Sequence, residues 1–133
     1  MKNLPWIALG SALGGTARYG LDLAALPLGP ELAPAATAVA NVTGSFLIGW
    51  LAGRWATGGA TSPHPYKWHF WMTGVCGGYT TYSTFSWQVL GWLRGGEGQL
   101  AGFYAAGSVG FGLLAVWLGL SLAVRGREMP EAS

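Results

Sequence analysis

The chain is 133 residues long, with 51% hydrophobic and only 9% charged residues, and its formal net charge is +2. So little charge leaves too few polar side chains to coat a soluble helical bundle, and no basic stripe offers itself to nucleic acid. The lone Cys76 excludes an intrachain disulfide and a cysteine-based metal cluster.

Apolar runs over roughly 4–25, 34–54, 68–93 and 99–124 predict a single all-α membrane domain of four helices. Each is near the roughly 20 residues that cross a bilayer. Before the first run, Met1-Lys2-Asn3 imitates the start of a signal peptide. The run is long, carries Arg18 and has no Ala-x-Ala exit, so a retained helix is expected. Gly10 and Gly14 form a small-residue face that lets a neighbouring helix approach. Arg18 is a cation well inside the run. It is expected either to face a cavity or to snorkel to the interface, with Asp22 one turn further on.

Pro27, Pro30 and Pro34 punctuate the first linker. In the second span, Ala36, Ala40 and Gly44, then Gly49 and Gly53, make further small-residue faces. Thr37, Asn41 and Ser45 share a polar face at i, i+4 and i+8. A primary amide at that depth needs partners for both donors and acceptors. Two readings of Asn41 stand: an interhelical hydrogen bond that holds the bundle, or a donor that replaces water around a permeating ion. Gly58-Gly59, Pro63 and Pro65 mark the second linker. His64 and His69 flank its end without a cysteine or carboxylate at metal-ligand spacing, and are expected at the membrane interface.

The third span contains the most informative stretch, Gly74-Val-Cys-Gly-Gly-Tyr-Thr-Thr-Tyr-Ser-Thr-Phe-Ser86. Gly77 and Gly78 weaken a helix through backbone entropy, and Thr80, Thr81, Ser83 and Thr84 compete for its backbone. In a bilayer, non-helical backbone is tolerated only where it is buried in protein or lines a watery cavity or ion site. A broken helix is therefore expected here, its freed carbonyls and hydroxyls meeting something polar. Beyond the break, Thr84 and Gln88 share a face. Gly95-Gly96 turns the chain into the fourth span, where Tyr104 and Ser108 share a polar face. There Gly98, Gly102, Ala106 and Gly110 make a small-residue stripe assigned to helix–helix contact, and so much small-residue surface suggests an oligomer.

Trp6, Trp50, Trp55, Trp68, Trp71 and Trp92 lie near expected span ends, as an aromatic belt would, while Trp87 and Trp117 are expected to pack deeper. Four spans put Lys2, Arg54, Lys67, Arg125 and Arg127 on one side, against Arg94, with Arg18 if it reaches that surface, on the other. Both termini are thereby expected in the cytoplasm. No serine has a histidine and an acid plausibly beside it, so catalysis is not expected. No carboxylate lies near a span centre, which argues against a proton- or cation-coupled pump. Hydroxyl and amide donors, the ring edges of Tyr82 and Phe85, and Arg18 suit an anion path instead.

At these residues the chain resembles a known family. Gly74 to Ser86 is similar to the third-helix signature of the Fluc (CrcB) fluoride channels. Gly14-Gly-Thr-Ala-Arg-Tyr19 and Ala40-Asn-Val-Thr-Gly-Ser-Phe-Leu-Ile-Gly49 match in order, so the resemblance covers essentially the whole chain. It implies passive export of cytoplasmic fluoride across the cell membrane through two pores of an antiparallel dimer, with a central structural sodium ion. On that resemblance Asn41 donates to fluoride, and Tyr82 and Phe85 stand where the family has its pore phenylalanines. Ser83 and Thr84, beside them in the motif, are counted with the pore, and Tyr104 and Ser108 continue a polar track. Arg18 lies in an anion-attracting vestibule, and the carbonyls of Gly77 and Thr80 hold the sodium. Tyr82 departs from the usual phenylalanine, and Gln88 stands where a glutamate is common. The Lys/Arg asymmetry leaves two partners open, a second copy or an oppositely oriented paralogue. The alternatives are a non-conducting partner subunit and a small dual-topology multidrug exporter. The exporter should carry a central acid in the first span, and Leu4 to Tyr19 has none.

Overall fold

A computed structural model describes residues 2–55 and 64–128. Gly58, Gly59 and Pro63 of the second linker, and the side chain of Arg127, lie outside the described residues. All regular structure among the described residues is helical. Helix α1, Leu4–Ala25, starts with Pro5 in its first turn, where the missing N–H costs nothing. Two short 3₁₀ turns, Leu26–Leu28 and Pro30–Leu32, lead into α2, Ala33–Trp55. Helix α3 spans 65–79: an α-turn Pro65–Trp68, a π-helical stretch His69–Cys76 and a last α-turn Gly77–Tyr79. Helix α4 is Tyr82–Arg94 and α5 is Gly98–Glu128.

The expected break falls at Thr80 (φ −81°, ψ 157°) and Thr81 (φ −146°, ψ 120°), both extended. Thr81 then caps α4: the Thr84 N–H donates to Thr81 Oγ1 at 3.2 Å. The next turn closes with two reciprocal bonds, from the Gly96 N–H to the Leu93 carbonyl and from the Glu97 N–H to the Trp92 carbonyl. That closure needs a left-handed residue, and Gly96 supplies it at φ 80°.

Small residues decide which helices meet. A Cβ on Gly74 would stand 2.9 Å from Gly10 Cα, and one on Gly78 would stand 2.8 Å from Ser11 Cα, so α3 lies backbone-to-backbone on α1. A Cβ on Gly49 would stand 2.9 Å from Val116 Cα, and one on Gly119 would stand 2.8 Å from Trp50 N, so α2 lies equally close on α5. The stripe of Gly98, Gly102, Ala106 and Gly110 is not used in this way. A Cβ on any of its three glycines would meet nothing, and Ala106 is exposed. Helix α5 instead buries Ala101, Ala115, Gly119 and Ala123.

The outer surface is apolar. Phe103 is 78% exposed, Trp87 70% and Trp117 61%. The two tryptophans thus differ from their expected packing role: within one chain nothing covers them. The helical stretches Pro30–Trp55 and Gly98–Gly126 are long and apolar enough to cross a bilayer. The core helix of a soluble protein meets that measure too, but such a helix is buried, and most of these two is not. Helix α1 does not meet it, since glycines, Thr16, Arg18 and Asp22 dilute its apolar character. The third run does not meet it because the break divides it. Trp6 contacts Tyr66 (ring centroids 5.2 Å apart), Trp55 contacts Trp68 (6.0 Å), and Gly53 meets Ala123. Lys2, Arg54, Lys67 and Arg125 therefore gather at one end of the bundle, and Arg94 lies at the other.

Candidate functional site

The break is held from across the bundle by Asn41 of α2. Its Nδ2 donates to the Thr81 carbonyl at 3.0 Å, and the Thr81 N–H donates to its Oδ1 at 2.8 Å. One amide thus satisfies both backbone groups of an extended residue that has no helix or strand to pair with. Of the two readings of Asn41, the interhelical bond is present. The second Nδ2 hydrogen is left over, and Asn41 lines a cavity of about 290 Å³ with Ser45, Thr80, Thr81, Tyr82, Phe85 and Ser108.

The clamp also releases carbonyls. In an unbroken helix the Thr81 N–H would bond the Gly77 carbonyl, and the Thr84 N–H would bond that of Thr80. Those donors go to Asn41 Oδ1 and Thr81 Oγ1 instead. Gly77 is exposed, and a Cβ there would meet nothing within 4 Å. Two carbonyls without their helical donors, close in sequence, with no countercharge, are the kind of oxygen ligand a hard monovalent cation takes. Among the described residues no group of three or more His, Cys, Asp and Glu could hold a metal ion.

The aromatic residues step away from the cavity. The Tyr82 and Phe85 rings lie 5.9 Å apart, and Phe85 stacks on Tyr104 at 5.5 Å. Tyr82 is 81% exposed, so its ring stands on the outside of the single chain. Tyr104 Oη donates to Gln88 Oε1 at 2.7 Å, with the Pro34 carbonyl 3.1 Å away as a second acceptor. Gln88 Nε2 donates to Thr37 Oγ1 at 2.9 Å, and Thr37 passes its own proton to the Ala33 carbonyl at 3.2 Å. A carboxylate at 88 could not donate to Thr37; the amide lets the whole chain of bonds run one way.

Of the site residues expected from sequence, Asn41, Thr80, Tyr82, Phe85 and Ser108 meet at the first cavity, and Gly77 does not line it. Tyr104 reaches it only through the Phe85 stack. Ser83 is exposed, with its hydroxyl 3.3 Å from that of Thr81, and does not line the cavity. Thr84 lines a second cavity of about 200 Å³ with Asp22, Thr37 and Gln88. Arg18 lines neither cavity; its Nη1 lies 3.3 Å from Asp22 Oδ2. Ser45, Thr81, Gln88 and Thr37 join the site. The helical spacing from Asn41 and from Thr84 signalled Ser45, Thr37 and Gln88, and the hydroxyl run signalled Thr81. Nothing local signalled the Pro34 carbonyl.

A family model described as "CrcB-like protein, Camphor Resistance (CrcB)" matches residues 5–120. The chain is 47% identical over 120 residues to the "Fluoride-specific ion channel FluC" of Opitutus terrae, covering 90% of each. It is 45% identical over 120 residues to the protein of that name from Paramagnetospirillum magneticum, covering 90% of this chain and 93% of the relative. With that from Methylocella silvestris it shares 42% identity over 133 aligned positions, covering 96% of this chain and 97% of the relative. Likeness over nearly its whole length means that the chain belongs to the CrcB-like family.

Proposed function

We propose that this membrane protein is a fluoride-selective channel subunit that lets cytoplasmic fluoride out down its gradient, with no catalysed reaction. The observation that carries the reading is the Asn41–Thr81 clamp opening onto a cavity walled by Ser45, Ser108, Tyr82 and Phe85. Fluoride is small and strongly hydrated, so a narrow path must offer fixed donors in place of water. The spare Nδ2 hydrogen of Asn41 and the hydroxyls of Ser45 and Ser108 are such donors, and the ring edges of Phe85 and Tyr82 carry positive quadrupole charge. Relatives whose printed name is "Fluoride-specific ion channel FluC", matched nearly end to end, support the same ion.

The functional unit in this reading is an antiparallel dimer with four spans per chain and two pores. The carbonyls of Gly77 and Thr80 from both chains hold a structural sodium ion, whose chemistry is to tie two broken helices together. The exposed Tyr82, Phe103 and Trp117 and the unused stripe of α5 supply apolar surface for a partner and for lipid. Lys2, Arg54, Lys67 and Arg125 gather at one end, so that end faces the cytoplasm of a cell membrane. Such a fixed bias favours an oppositely oriented paralogue as the partner, and a second copy requires insertion both ways.

Fluoride efflux tests the reading. The purified chain is reconstituted into liposomes, and release is followed with a fluoride electrode against a chloride control. Fluoride-selective efflux is expected. Equal release of both ions, or none from the chain together with an oppositely oriented paralogue, rejects the proposal.

A further inference from the structure

We propose that Asp22 is a brake on anion entry, a residue that sets the field at the mouth of the path. The inference rests on the channel reading. The second cavity lies next along α2: the linings are one turn apart, Asn41 on the first and Thr37 on the second. Thr37 and Gln88 line the second and are bonded to each other, so a route from Asn41 along this face of α2 meets a hydroxyl and an amide there. An anion leaving Asn41 by that route comes to a space with a carboxylate in its wall.

The charges there are ordered against the anion. Asp22 lines the cavity and Arg18 does not. The two are joined at 3.3 Å, with side chains 24% (Arg18) and 37% (Asp22) exposed. Seen from a distance, such a pair has no net charge, so Arg18 exerts little long-range pull on an anion. Within the cavity the nearer partner dominates, and it is negative. Asp22→Asn removes that repulsion and unmasks Arg18 together. The charge at the mouth, rather than the shape of the path, is what changes.

Four versions of the chain test this by fluoride efflux from liposomes: unaltered, Asp22→Asn, Arg18→Gln, and the double Arg18→Gln/Asp22→Asn. At an ionic strength of about 10 mM, where screening reaches only over ~30 Å, Asp22→Asn is expected to raise flux about two- to threefold. Arg18→Gln is expected to lower it by a similar factor, and the double variant to fall between the unaltered chain and Asp22→Asn. At about 1 M, with a screening length of ~3 Å, the four should converge. Equal flux from all four at low salt overturns the proposal. So does a difference that persists at high salt, or a fall in flux in Asp22→Asn, Arg18→Gln and the double variant alike, since both would show a structural ion pair. No fluoride flux from the unaltered chain or its paired form refutes the channel reading itself, and the inference falls with it.

Discussion

Asn41→Asp is the substitution that separates conduction from architecture. The carboxylate keeps the acceptor for the Thr81 N–H, now at 2.8 Å, and loses the donor that meets the Thr81 carbonyl at 3.0 Å. An interhelical bond in a membrane is worth about 0.6 kcal/mol on average and at most ~2 kcal/mol, so the fold should survive. The effect on the ion is larger. A unit negative charge about 4 Å from fluoride, at an effective dielectric constant of ~20, raises its energy by about 4 kcal/mol. That corresponds to roughly a thousandfold in rate. Asn41→Ala is the companion: it removes both bonds without adding charge, at about 1–3 kcal/mol of stability, and should reduce flux less. The assay is liposome fluoride efflux, with thermal unfolding in detergent on the same preparations. A folded Asn41→Asp protein that conducts like the unaltered chain would refute the placement of Asn41 on the path and leave it only a clamp.

Three further outcomes follow from the contacts. Gly78→Ala places a Cβ 2.8 Å from the backbone Cα of Ser11, so α1 and α3 must separate; a loss of about 1–3 kcal/mol should appear as a lower unfolding temperature. Gln88→Leu takes the acceptor from Tyr104 Oη and the donor from Thr37 Oγ1, and flux should fall severalfold; Gln88→Glu can still accept from Tyr104 but adds a second carboxylate to the cavity that Asp22 lines, so its flux should fall more at low salt than at high. Replacing sodium with a bulky organic cation throughout purification should lower the unfolding temperature of the assembled protein. An unchanged melting curve would remove the sodium from the Gly77 and Thr80 carbonyls.

The four helical runs and the position of the break were legible in the sequence because both depend on neighbours in the chain. Paired glycines and consecutive threonines weaken a helix wherever they stand, and a 3.6-residue period puts Thr37, Asn41 and Ser45 on one face whatever lies opposite. Arg18 and Asp22 are likewise one turn apart, and their pairing needs no third helix. What that face meets is a different matter. Asn41 bonds Thr81, forty positions away, and Tyr104 lies against the Pro34 carbonyl, seventy away. Those partners were chosen by which small-residue faces let backbones approach: Gly10 and Gly14 on α3, Gly49 and Gly53 on α5. The same spacing at Gly98, Gly102 and Gly110 leads to no contact, because α5 already meets α2 through Val116, Gly119 and Ala123. Likewise Thr84 turned to the second cavity and Trp87 to the outside. Local chemistry determined where this chain could break and which side chains share a face. Only the docking of helices distant in sequence decided which of those faces closed around the break and which were left open.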